Sequence, residues 1–564
     1  MSIETATKLS DVERIKRESA GLRGPLVQEL ANEESHFSDD AKHVLKFHGS
    51  YQQDDRDVRR ERRKAGLEPA YSCMIRSRIP GGVLSAGQYL VHDDLAGRFG
   101  DGTLRVTTRQ TIQLHGVIKG SLASTLRNLN EALVTTLATC GDVNRNVMSC
   151  PAPLPRSLRA EAIDVARRIS AHLLPSTRAY HEIWIDGNLA AGGEPQPDPV
   201  YQDRYLPRKF KTALGFPDDN CTDVYSNDLG FLVVADEDRL AGFNVLVGGG
   251  LGRTHGKAET YPRLADPLAF VTPDEVLDVA AAVVTTLRDF GNRSDRRRAR
   301  LKYLIDERGL DWFRDQVEQR VGRQLGPPAP AAVTEIHDHL GWHEQGDGLW
   351  FYGLFIENGR IRDTDVAETR TALRRIVEEL RPGVRMTPQQ NLLLAGIAER
   401  DRERIERILT DHGVQSLTAI STVRRWSMAC PALPTCPLAL AEAERVLPGI
   451  VDQLEIELKQ LGLDSVPFTL RMTGCPNGCA RPYTADLAFV GRSADKYVVY
   501  VGGNMEGTRL NAAYADLVPR DQLVSTVRPL LEQFARERLP GERFGDFCSR
   551  RNAARPAARR NADG

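Results

Sequence analysis

The sequence has almost no net charge, no long apolar run and no apolar leader, and each absence excludes a class of protein. Its 75 Lys and Arg residues nearly balance its 76 Asp and Glu residues, leaving a formal charge of −1. This argues against a nucleic-acid-binding protein held by bulk positive charge. No apolar run reaches the roughly 18 residues of a membrane span. The N-terminal stretch MSIETATKLSDVERIKRES has no apolar core of a signal peptide, so we expect a cytoplasmic protein.

A nucleotide-binding loop is also absent, although the segment GFNVLVGGGLGRTHGK at 242–257 is rich in glycine. A dinucleotide-binding GxGxxG motif would need glycine where Arg253 stands. A P-loop would need glycine in place of Leu251, and Ser or Thr in place of Ala258. We therefore expect these glycines to allow a tight turn or a close approach of the backbone to a cofactor.

The chain has 564 residues, of which 41% are hydrophobic and 27% are charged. These proportions are those of an ordinary globular protein, and the length predicts two to four domains. The Pro-rich stretch RQLGPPAPAAVT at 323–334 predicts a linker between two halves.

Four of the nine cysteines are concentrated in two short loops. Cys430 and Cys436 stand in WSMACPALPTCPLA, and Cys475 and Cys479 stand in RMTGCPNGCAR. Disulfides are disfavoured because thiols stay reduced in a cytoplasm. A structural zinc ion and a [4Fe–4S] cluster both stay open at this point. The C-x5-C spacing fits the usual zinc pairs only loosely, whereas a cluster accepts varied spacing.

The other five cysteines have no paired spacing. We interpret them as buried, unreactive thiols. They are Cys73, Cys140, Cys150, Cys221 and Cys548.

Basic residues are patterned in two places. The run GTLRVTTRQTIQLHGVI at 102–118 alternates polar and apolar residues, which predicts a strand with one polar face, here called the cationic strand. That face would carry Arg105, Thr107, Arg109, Thr111, Gln113 and His115. Such a set is unusual for a solvent-exposed surface and indicates a site for a polyanion. Downstream, Phe210 separates Lys209 from Lys211, so we expect both lysines on one face.

The second half of the sequence repeats the first. GTLRVTTRQTIQLHG at 102–116 is echoed by PGVRMTPQQNLLLAG at 382–396, an offset of 280. RNVMSCPA at 145–152 is echoed by RWSMACPA at 425–432 at the same offset. We therefore predict two similar halves related by an approximate two-fold axis, with a site at their interface. One half would supply the cationic residues and the other the four cysteines.

The strings PTCPLALAEAERVLP and MTGCPNGC, together with the N-terminal FHGSYQQDDRD and the C-terminal LPGERFGDFCSR, resemble the sirohaem-containing sulfite and nitrite reductases. The resemblance covers nearly the whole chain and is greatest to the haemoprotein subunit of assimilatory NADPH-linked sulfite reductase. It implies a duplicated, pseudo-two-fold α+β fold with ferredoxin-like half domains and two sirohaem- and Fe–S-binding domains. It also implies that Cys430, Cys436, Cys475 and Cys479 hold a [4Fe–4S] cluster, with Cys479 bridging to the sirohaem iron.

The resemblance further assigns individual residues. The family's sulfite-binding basic residues fall on Arg76, Arg145, Lys209 and Lys211. Its sirohaem contacts fall on Arg105, Thr107, Arg109, Gln113, His115, Gln390, Asn477 and Arg481.

The implied domain boundaries divide the chain into seven segments. These are an N-terminal extension (1–65), a ferredoxin-like half (66–140), a sirohaem- and substrate-binding domain (141–325), a linker (326–334), a second ferredoxin-like half (335–415), an Fe–S and sirohaem domain (416–548) and a flexible tail (549–564).

The implied activity is the six-electron reduction of sulfite to sulfide in assimilatory sulfur metabolism. No flavin or NADPH domain is visible, so we expect an electron-donating flavoprotein partner, with a ferredoxin as the alternative. The basic run NRSDRRRARLKY at 292–303 predicts either a solvated helix start or a docking surface for an acidic donor. Nitrite reduction on the same cofactors is the nearest alternative, and a zinc-stabilised binding module without redox chemistry is a remote one.

Overall fold

A computed structural model gives the fold. It describes residues 9–154, 158–177, 183–185, 188–191, 198–237 and 239–553, with the backbone alone described at 183–185 and 188–191. The first residues of the predicted N-terminal extension and most of the predicted tail lie outside these ranges.

Helices occur throughout the described chain. They are α1 (Asp11–Glu18), α2 (Leu26–Ala31), α3 (Asp39–Phe47), α4 (Arg59–Lys64), α5 (Ala86–Arg98), α6 (Lys119–Glu131), α7 (Leu158–His172), α8 (Val276–Phe290), α9 (Leu301–Arg308), α10 (Leu310–Val321), α11 (Thr369–Leu380), α12 (Arg402–Asp411), α13 (Thr422–Arg425), α14 (Leu447–Gln460), α15 (Leu523–Glu537) and α16 (Phe544–Arg550). None of those described is long and apolar enough to cross a membrane.

Strands are interspersed with these helices, which confirms the predicted α+β class. They are β1 (Ser50–Asp54), β2 (Tyr71–Arg76), β3 (Val83–Leu84), β4 (Leu104–Val106), β5 (Ile112–Val117), β6 (Ile183–Ile185), β7 (Asn188–Ala191), β8 (Thr212–Gly215), β9 (Leu229–Asp236), β10 (Arg239–Val247), β11 (Asp266–Val271), β12 (Gly341–Glu344), β13 (Trp350–Leu354), β14 (Arg360–Ile361), β15 (Gly383–Met386), β16 (Leu392–Ile397), β17 (Ser427–Ala429), β18 (Leu470–Thr473), β19 (Leu487–Ser493), β20 (Lys496–Val501) and β21 (Ala512–Pro519).

Two antiparallel five-stranded sheets exchange an edge strand. The first has the order β1-β2-β5-β4-β14, and the second has the order β12-β13-β16-β15-β3. β14 comes from the second half of the chain and pairs with β4, where Arg360 lies opposite Arg105. β3 comes from the first half and pairs with β15, where Leu84 lies opposite Val384. Each half therefore completes the other's sheet, which ties the two ferredoxin-like halves into one unit.

The predicted cationic strand is in fact a hairpin made of β4 and β5. Thr107 closes the turn between them, because its hydroxyl accepts the backbone N–H groups of Arg109 and Thr111, both at 3.2 Å. The single-strand prediction is wrong because a threonine hydroxyl that captures backbone N–H groups stabilises a turn, which the alternation of polar and apolar residues does not reveal. Arg105 and Gln113 still share a face, as directly opposed partners across the hairpin.

The same turn recurs in the second half, which confirms the 280-residue repeat at the level of single hydrogen bonds. Gln110 and Gln390 both adopt a left-handed backbone, with φ of 55° and 68°. The Gln110 side-chain amide donates to the Ser149 carbonyl at 2.8 Å, and the Gln390 amide donates to the Ala429 carbonyl at 3.1 Å. Each glutamine thus joins its hairpin to the domain that follows it in the chain.

Two further sheets carry the domains that follow the hairpins. Their orders are β11-β10-β9-β8 and β17-β18-β19-β20-β21. β8 and β9 pair in parallel, as do β17, β18 and β19. Met148 makes an isolated parallel bridge to Ala213, at the place where β17 joins β18 in the other sheet. The two sheets are therefore related in topology.

The helices cover these sheets through apolar faces, as α8 illustrates. Its residues Val276, Val279, Ala280, Val283 and Leu287 are all buried. Their spacing places them on one face of a helix. That face lies against α7 and α10.

We predict that Asp93 in α5 stabilises the joint between the two halves. Its side chain is 1% exposed and accepts hydrogen bonds from Arg370 at 2.6 Å and from Arg374 at 2.7 Å, both on α11. Asp93→Ala should reduce the free energy of unfolding by about 2 kcal/mol, because both guanidinium groups lose a buried counterion. The urea midpoint of the loaded protein measures this.

Asp94→Ala is the matched control, since Asp94 contacts the same Arg374 but is 53% exposed. It should change the free energy of unfolding by no more than about 0.5 kcal/mol. Equal effects of the two substitutions would contradict the assigned role of Asp93.

Candidate active site

Two neighbouring parallel strands place the cysteine loops side by side. β17 leads directly into Cys430, and β18 leads through Gly474 to Cys475. Ligand sites commonly form at the carboxyl ends of parallel strands, where the connecting loops converge. The Cys430 N–H also donates to the Met472 carbonyl at 3.2 Å, which fixes the first loop to the second strand.

The sulfurs of the four-cysteine cage (Cys430, Cys436, Cys475 and Cys479) do not converge as the ligands of a single zinc ion would. Zinc lies about 2.3 Å from each thiolate sulfur, so two sulfurs on one zinc lie within about 4.6 Å of each other. The described residues contain one group of metal-binding side chains whose ligand atoms lie within 4.8 Å of one another, and this cage is not that group. A wider iron–sulfide unit therefore fits the cage better than zinc.

Backbone and amide donors point at the cage sulfurs. The Gly474 N–H donates to the Cys430 sulfur at 3.4 Å, and the Asn477 side-chain amide donates to the Cys475 sulfur at 3.5 Å. Donors of this kind tune the potential of iron–sulfur clusters.

The thiols of the cage need a positive centre to ionise. Burial first, and then the negative charge of the neighbouring sulfurs, raises the pKa of Cys430 and of Cys475 and raises that of Cys436 to about 11. Iron supplies the positive charge that stabilises such thiolates. The donor set therefore fits a cluster.

A cavity opens beside Cys479, the exposed cysteine of the cage. Both halves of the chain contribute to its wall. The lining residues are Thr108, Arg109, Met148, Lys209, Lys211, Ser226, Asn227, Leu251, Gly252, Arg300, Asn477, Gly478, Cys479 and Arg481. Three arginines and two lysines are among them, and this described lining contains no carboxylate. The cavity is thus suited to a polyanion.

Lys209 and Lys211 both line this cavity, whereas Phe210 between them is fully buried. Neither ammonium group has a hydrogen-bond partner within the described part of the chain. Burial, followed by the charges of Arg145 and other cations, lowers the pKa of Lys209 to about 7. Burial, followed by the charge of Lys209, lowers the pKa of Lys211 well below its usual value. Both side chains would become more basic when an anion enters.

Arg145 lies close enough to Lys209 to affect its charge, and neither Arg145 nor Arg76 lines the cavity. The backbone N–H of Arg145 donates to the Phe210 carbonyl at 3.0 Å, which sets this loop beside the lysines. Arg76 donates to the Cys140 sulfur at 3.2 Å. The Gln113 amide, oriented with its oxygen toward the guanidinium, accepts from the Arg76 Nε at 3.1 Å.

The residues predicted to contact sirohaem divide into two groups. Arg109, Asn477 and Arg481 line the cavity. The others do not line it and are Arg105, Thr107, Gln113, His115 and Gln390.

Arg105 in the second group has a structural partner. It donates to the Glu444 carboxylate at 2.8 Å and to the Ala429 carbonyl at 2.9 Å. Glu444 also binds Arg360, and its N–H donates to the Cys430 carbonyl at 3.2 Å. Arg105 thus connects the hairpin to the cysteine cage.

The sequence patterns did not reveal the carboxylates that position the cationic side chains of the cavity, and they did not reveal the role of Arg300. Asp228 is fully buried and accepts from Arg300 at 2.6 and 3.1 Å and from the Lys211 N–H at 3.0 Å. Asp223 is also fully buried and pairs with Arg471 at 2.9 Å and with Arg481 at 2.6 Å. The partners lie far apart in the chain, so no local pattern signals them.

The basic run at 292–303 is therefore only partly a surface feature. Arg300 and Lys302 are buried, contrary to both interpretations of this run. Lys302 donates to the carbonyls of Gly250 and Gly252 at 2.9 and 3.0 Å. The run thus supports the glycine loop that borders the cavity.

That glycine loop packs directly against the second cysteine loop. The Arg253 N–H donates to the Pro476 carbonyl at 2.9 Å. A Cβ atom on Gly252 would lie 3.1 Å from the Asn477 carbonyl, and one on Gly249 would lie 2.2 Å from the Tyr225 carbonyl. Side chains at these two positions would displace the loop from the cavity wall.

Several buried polar atoms around the cavity have no partner within the described residues. They include the Nε atoms of Arg109, Arg145 and Arg481 and the side-chain oxygen of Gln390. Buried polar groups are ordinarily hydrogen-bonded. Unpartnered cationic donors beside a cavity without carboxylates fit a bound group that carries several negative charges.

The models of two domain families match this chain. The Nitrite and sulphite reductase 4Fe-4S domain matches residues 164–325 and 421–554. The Nitrite/Sulfite reductase ferredoxin-like half domain matches residues 67–132 and 343–412. The chain belongs to the nitrite and sulphite reductase family.

Relatives within this family share close to half of their residues with the chain. A protein of Myxococcus xanthus is 48% identical over 543 residues, covering 96% of each chain. One of Acidithiobacillus ferrooxidans is 48% identical over 549 residues, covering 97% of each. One of Staphylococcus saprophyticus is 45% identical over 550 residues, covering 97% of this chain and 96% of the relative. All three are named sulfite reductase [NADPH] hemoprotein beta-component.

A solved structure of the family supports the fold. The Mycobacterium tuberculosis NirA protein superposes with a TM-score of 0.76 at 26% identity, covering 96% of this chain and 97% of NirA. The duplicated fold and the two cofactors implied by the resemblance, sirohaem and a [4Fe–4S] cluster, agree with these comparisons.

We predict that Cys475→Ser loses most of the cluster iron and acid-labile sulfide, because a serine hydroxyl does not replace a thiolate ligand. Iron and sulfide content per chain measure the loss. Cys548→Ser is the control, since Cys548 is also buried but lies in α16, outside the cage. Retention of full iron content by Cys475→Ser would show that Cys475 is not a ligand.

Proposed function

We propose that this chain is the haemoprotein component of an assimilatory sulfite reductase, which reduces sulfite to sulfide with six electrons. The observation that carries the proposal is the cationic cavity, free of carboxylates in its described lining, that opens onto Cys479 of the cage. The names of the relatives identify sulfite as the substrate to test first.

The cage residues Cys430, Cys436, Cys475 and Cys479 would hold the [4Fe–4S] cluster, and Cys479 would also ligate the sirohaem iron. Exposure of Cys479 to the cavity supports this division of roles. When bound, the coupled cofactors supply electrons one at a time and a metal site for the sulfur atom.

The wall of the cavity would hold sirohaem by its carboxylates. Arg109, Asn477 and Arg481 line the space directly. The other predicted contacts would act from the β4–β5 and β15–β16 hairpins, and they are Arg105, Thr107, Gln113, His115 and Gln390. The unpartnered guanidinium nitrogens of Arg109 and Arg481 support this assignment.

Arg76, Arg145, Lys209 and Lys211 would bind sulfite and supply protons. Each S–O bond that breaks needs protons to release its oxygen as water, so proton donors must lie beside the anion. Lys209, whose pKa is lowered to about 7, is suited to give up a proton near neutral pH. Arg145 and Arg76 stay charged and would keep the oxyanion in place.

The arrangement of the sheets supports the proposed domain boundaries. Residues 66–140 and 335–415 would form the two ferredoxin-like halves, and 141–325 and 416–548 the two cofactor-binding domains. β1 at 50–54 extends the first ferredoxin-like sheet.

Electrons would come from a flavoprotein partner in the cytoplasm. The relatives are named as the beta-component of an NADPH-linked enzyme, which supports a separate subunit that oxidises NADPH. A ferredoxin is the alternative donor, and nitrite is the alternative substrate. The comparisons do not support a zinc-stabilised binding module, and neither does the spacing of the cage.

We predict that Lys211→Ala reduces kcat for sulfite by about 10²-fold, because an unpartnered cation at the substrate is lost. The absorption spectrum of the cofactors should be unchanged. Lys257→Ala is the control, since Lys257 is exposed outside the cavity lining. Unchanged sulfite turnover in Lys211→Ala would remove this lysine from the substrate site.

We also predict that the purified protein shows the Soret and red absorption bands of an isobacteriochlorin and oxidises reduced viologen with a higher kcat/KM for sulfite than for nitrite. Two lysines beside the cavity favour the more highly charged anion. A preference for nitrite would agree with the proposed cofactors but contradict sulfite as the substrate. Absence of the bands after expression with ample iron and sirohaem would contradict the proposal that the chain is a sirohaem enzyme.

A further inference from the structure

Two cysteines outside the cage, an aspartate and a histidine form a second cluster of metal-binding side chains. Cys150, Asp219, Cys221 and His339 each direct one ligand atom toward a common point, and these atoms all lie within 4.8 Å of one another. Both cysteines are buried, as expected, but they are not isolated. Cys150, Asp219 and Cys221 are fully buried and His339 is 8% exposed.

The separations within this cluster are close to those around a tetrahedral ion. The Cys150 sulfur lies 3.0 Å from the Asp219 Oδ2 and 3.4 Å from the His339 Nε2, and these two atoms lie 2.8 Å apart. Ligands about 2.0 to 2.3 Å from a tetrahedral zinc lie roughly 3.3 to 3.8 Å from one another. The Cys221 sulfur lies within 4.8 Å of each of these three atoms and completes the set of four.

We propose that Cys150, Asp219, Cys221 and His339 bind a structural zinc ion. Two thiolates, one imidazole and one carboxylate form a closed four-ligand set of the types that zinc accepts. The softness of the sulfur ligands excludes magnesium and calcium.

The surroundings of the cluster pre-orient its ligands. The Asp219 Oδ1 accepts the N–H groups of Cys221 at 3.1 Å and His337 at 3.2 Å, so that Oδ2 is the oxygen directed at the cluster. Such hydrogen bonds are typical of metal-ligating carboxylates.

The ion would join three segments of the chain. Cys150 follows the loop of Arg145, Asp219 and Cys221 follow β8, and His339 lies two residues before the start of β12. The Cys221 carbonyl accepts from Arg481 at 3.1 Å and from Gln389 at 3.2 Å. Zinc would therefore fix the connection into the second half and, through Cys221, the position of Arg481 in the cavity wall.

The test is the metal content of the loaded protein, purified from cells supplied with zinc and passed through gel filtration. We expect about one zinc per chain in addition to the cofactor iron. X-ray absorption at the zinc edge should show two sulfur ligands at about 2.3 Å and two nitrogen or oxygen ligands at about 2.0 Å. Absence of zinc, or zinc bound by nitrogen and oxygen alone, would overturn the proposal.

Cys221→Ser should lower the zinc content at least tenfold while the cluster iron and the cofactor bands persist. Cys73→Ser is the control, because Cys73 is a buried cysteine in β2 outside both clusters. Full zinc content in Cys221→Ser, or a Cys150–Cys221 disulfide found by mass spectrometry in the native protein, would also overturn the site. If Cys221→Ser does not fold, the zinc content and absorption spectrum of the native protein decide.

Discussion

Buried positive charge is the constraint on which the rest of the structure depends. A cation removed from water is costly unless a counterion or a ligand compensates it. Arg105, Arg300 and Arg481 each have a buried or largely buried carboxylate, supplied by Glu444, Asp228 and Asp223 respectively. Lys209 and Lys211 have none within the described residues. The paired arginines connect separate parts of the fold, whereas the two lysines line the cavity.

The duplication explains how one chain places cationic side chains and cysteine thiols beside the same cavity. The two halves share a hairpin, a glutamine-anchored turn and a sheet with parallel strands, so they meet around an approximate two-fold axis. The first half contributes four of the five cations that line the cavity, and the second half contributes the fifth and the four thiols. Exchange of β3 and β14 between the ferredoxin-like sheets keeps the halves from separating, because each sheet needs strands from both.

Many contacts between the halves pass through the loops that carry the site. Glu444 contacts Arg105 and Arg360 and lies beside Cys430, and Asp223 contacts two arginines of the second half. Stability and function are therefore coupled in this molecule. Substitutions in these carboxylates would move cofactor-binding groups as well as weaken the fold.

The sequence alone determined the four-cysteine cage, the pair of lysines, the repeat and the family. Each of these is encoded by residues close together in the chain or by strings that recur at one offset. The β4–β5 hairpin was predicted as a single strand. The alternation of polar and apolar residues does not reveal the turn that the Thr107 hydroxyl stabilises. Only the tertiary structure revealed the counterions of the buried arginines, the internal role of Arg300 and Lys302, and the convergence of Cys150, Asp219, Cys221 and His339. These groups are tens to hundreds of residues apart, and electrostatic pairing and metal ligation depend on distance in space, which no local spacing encodes.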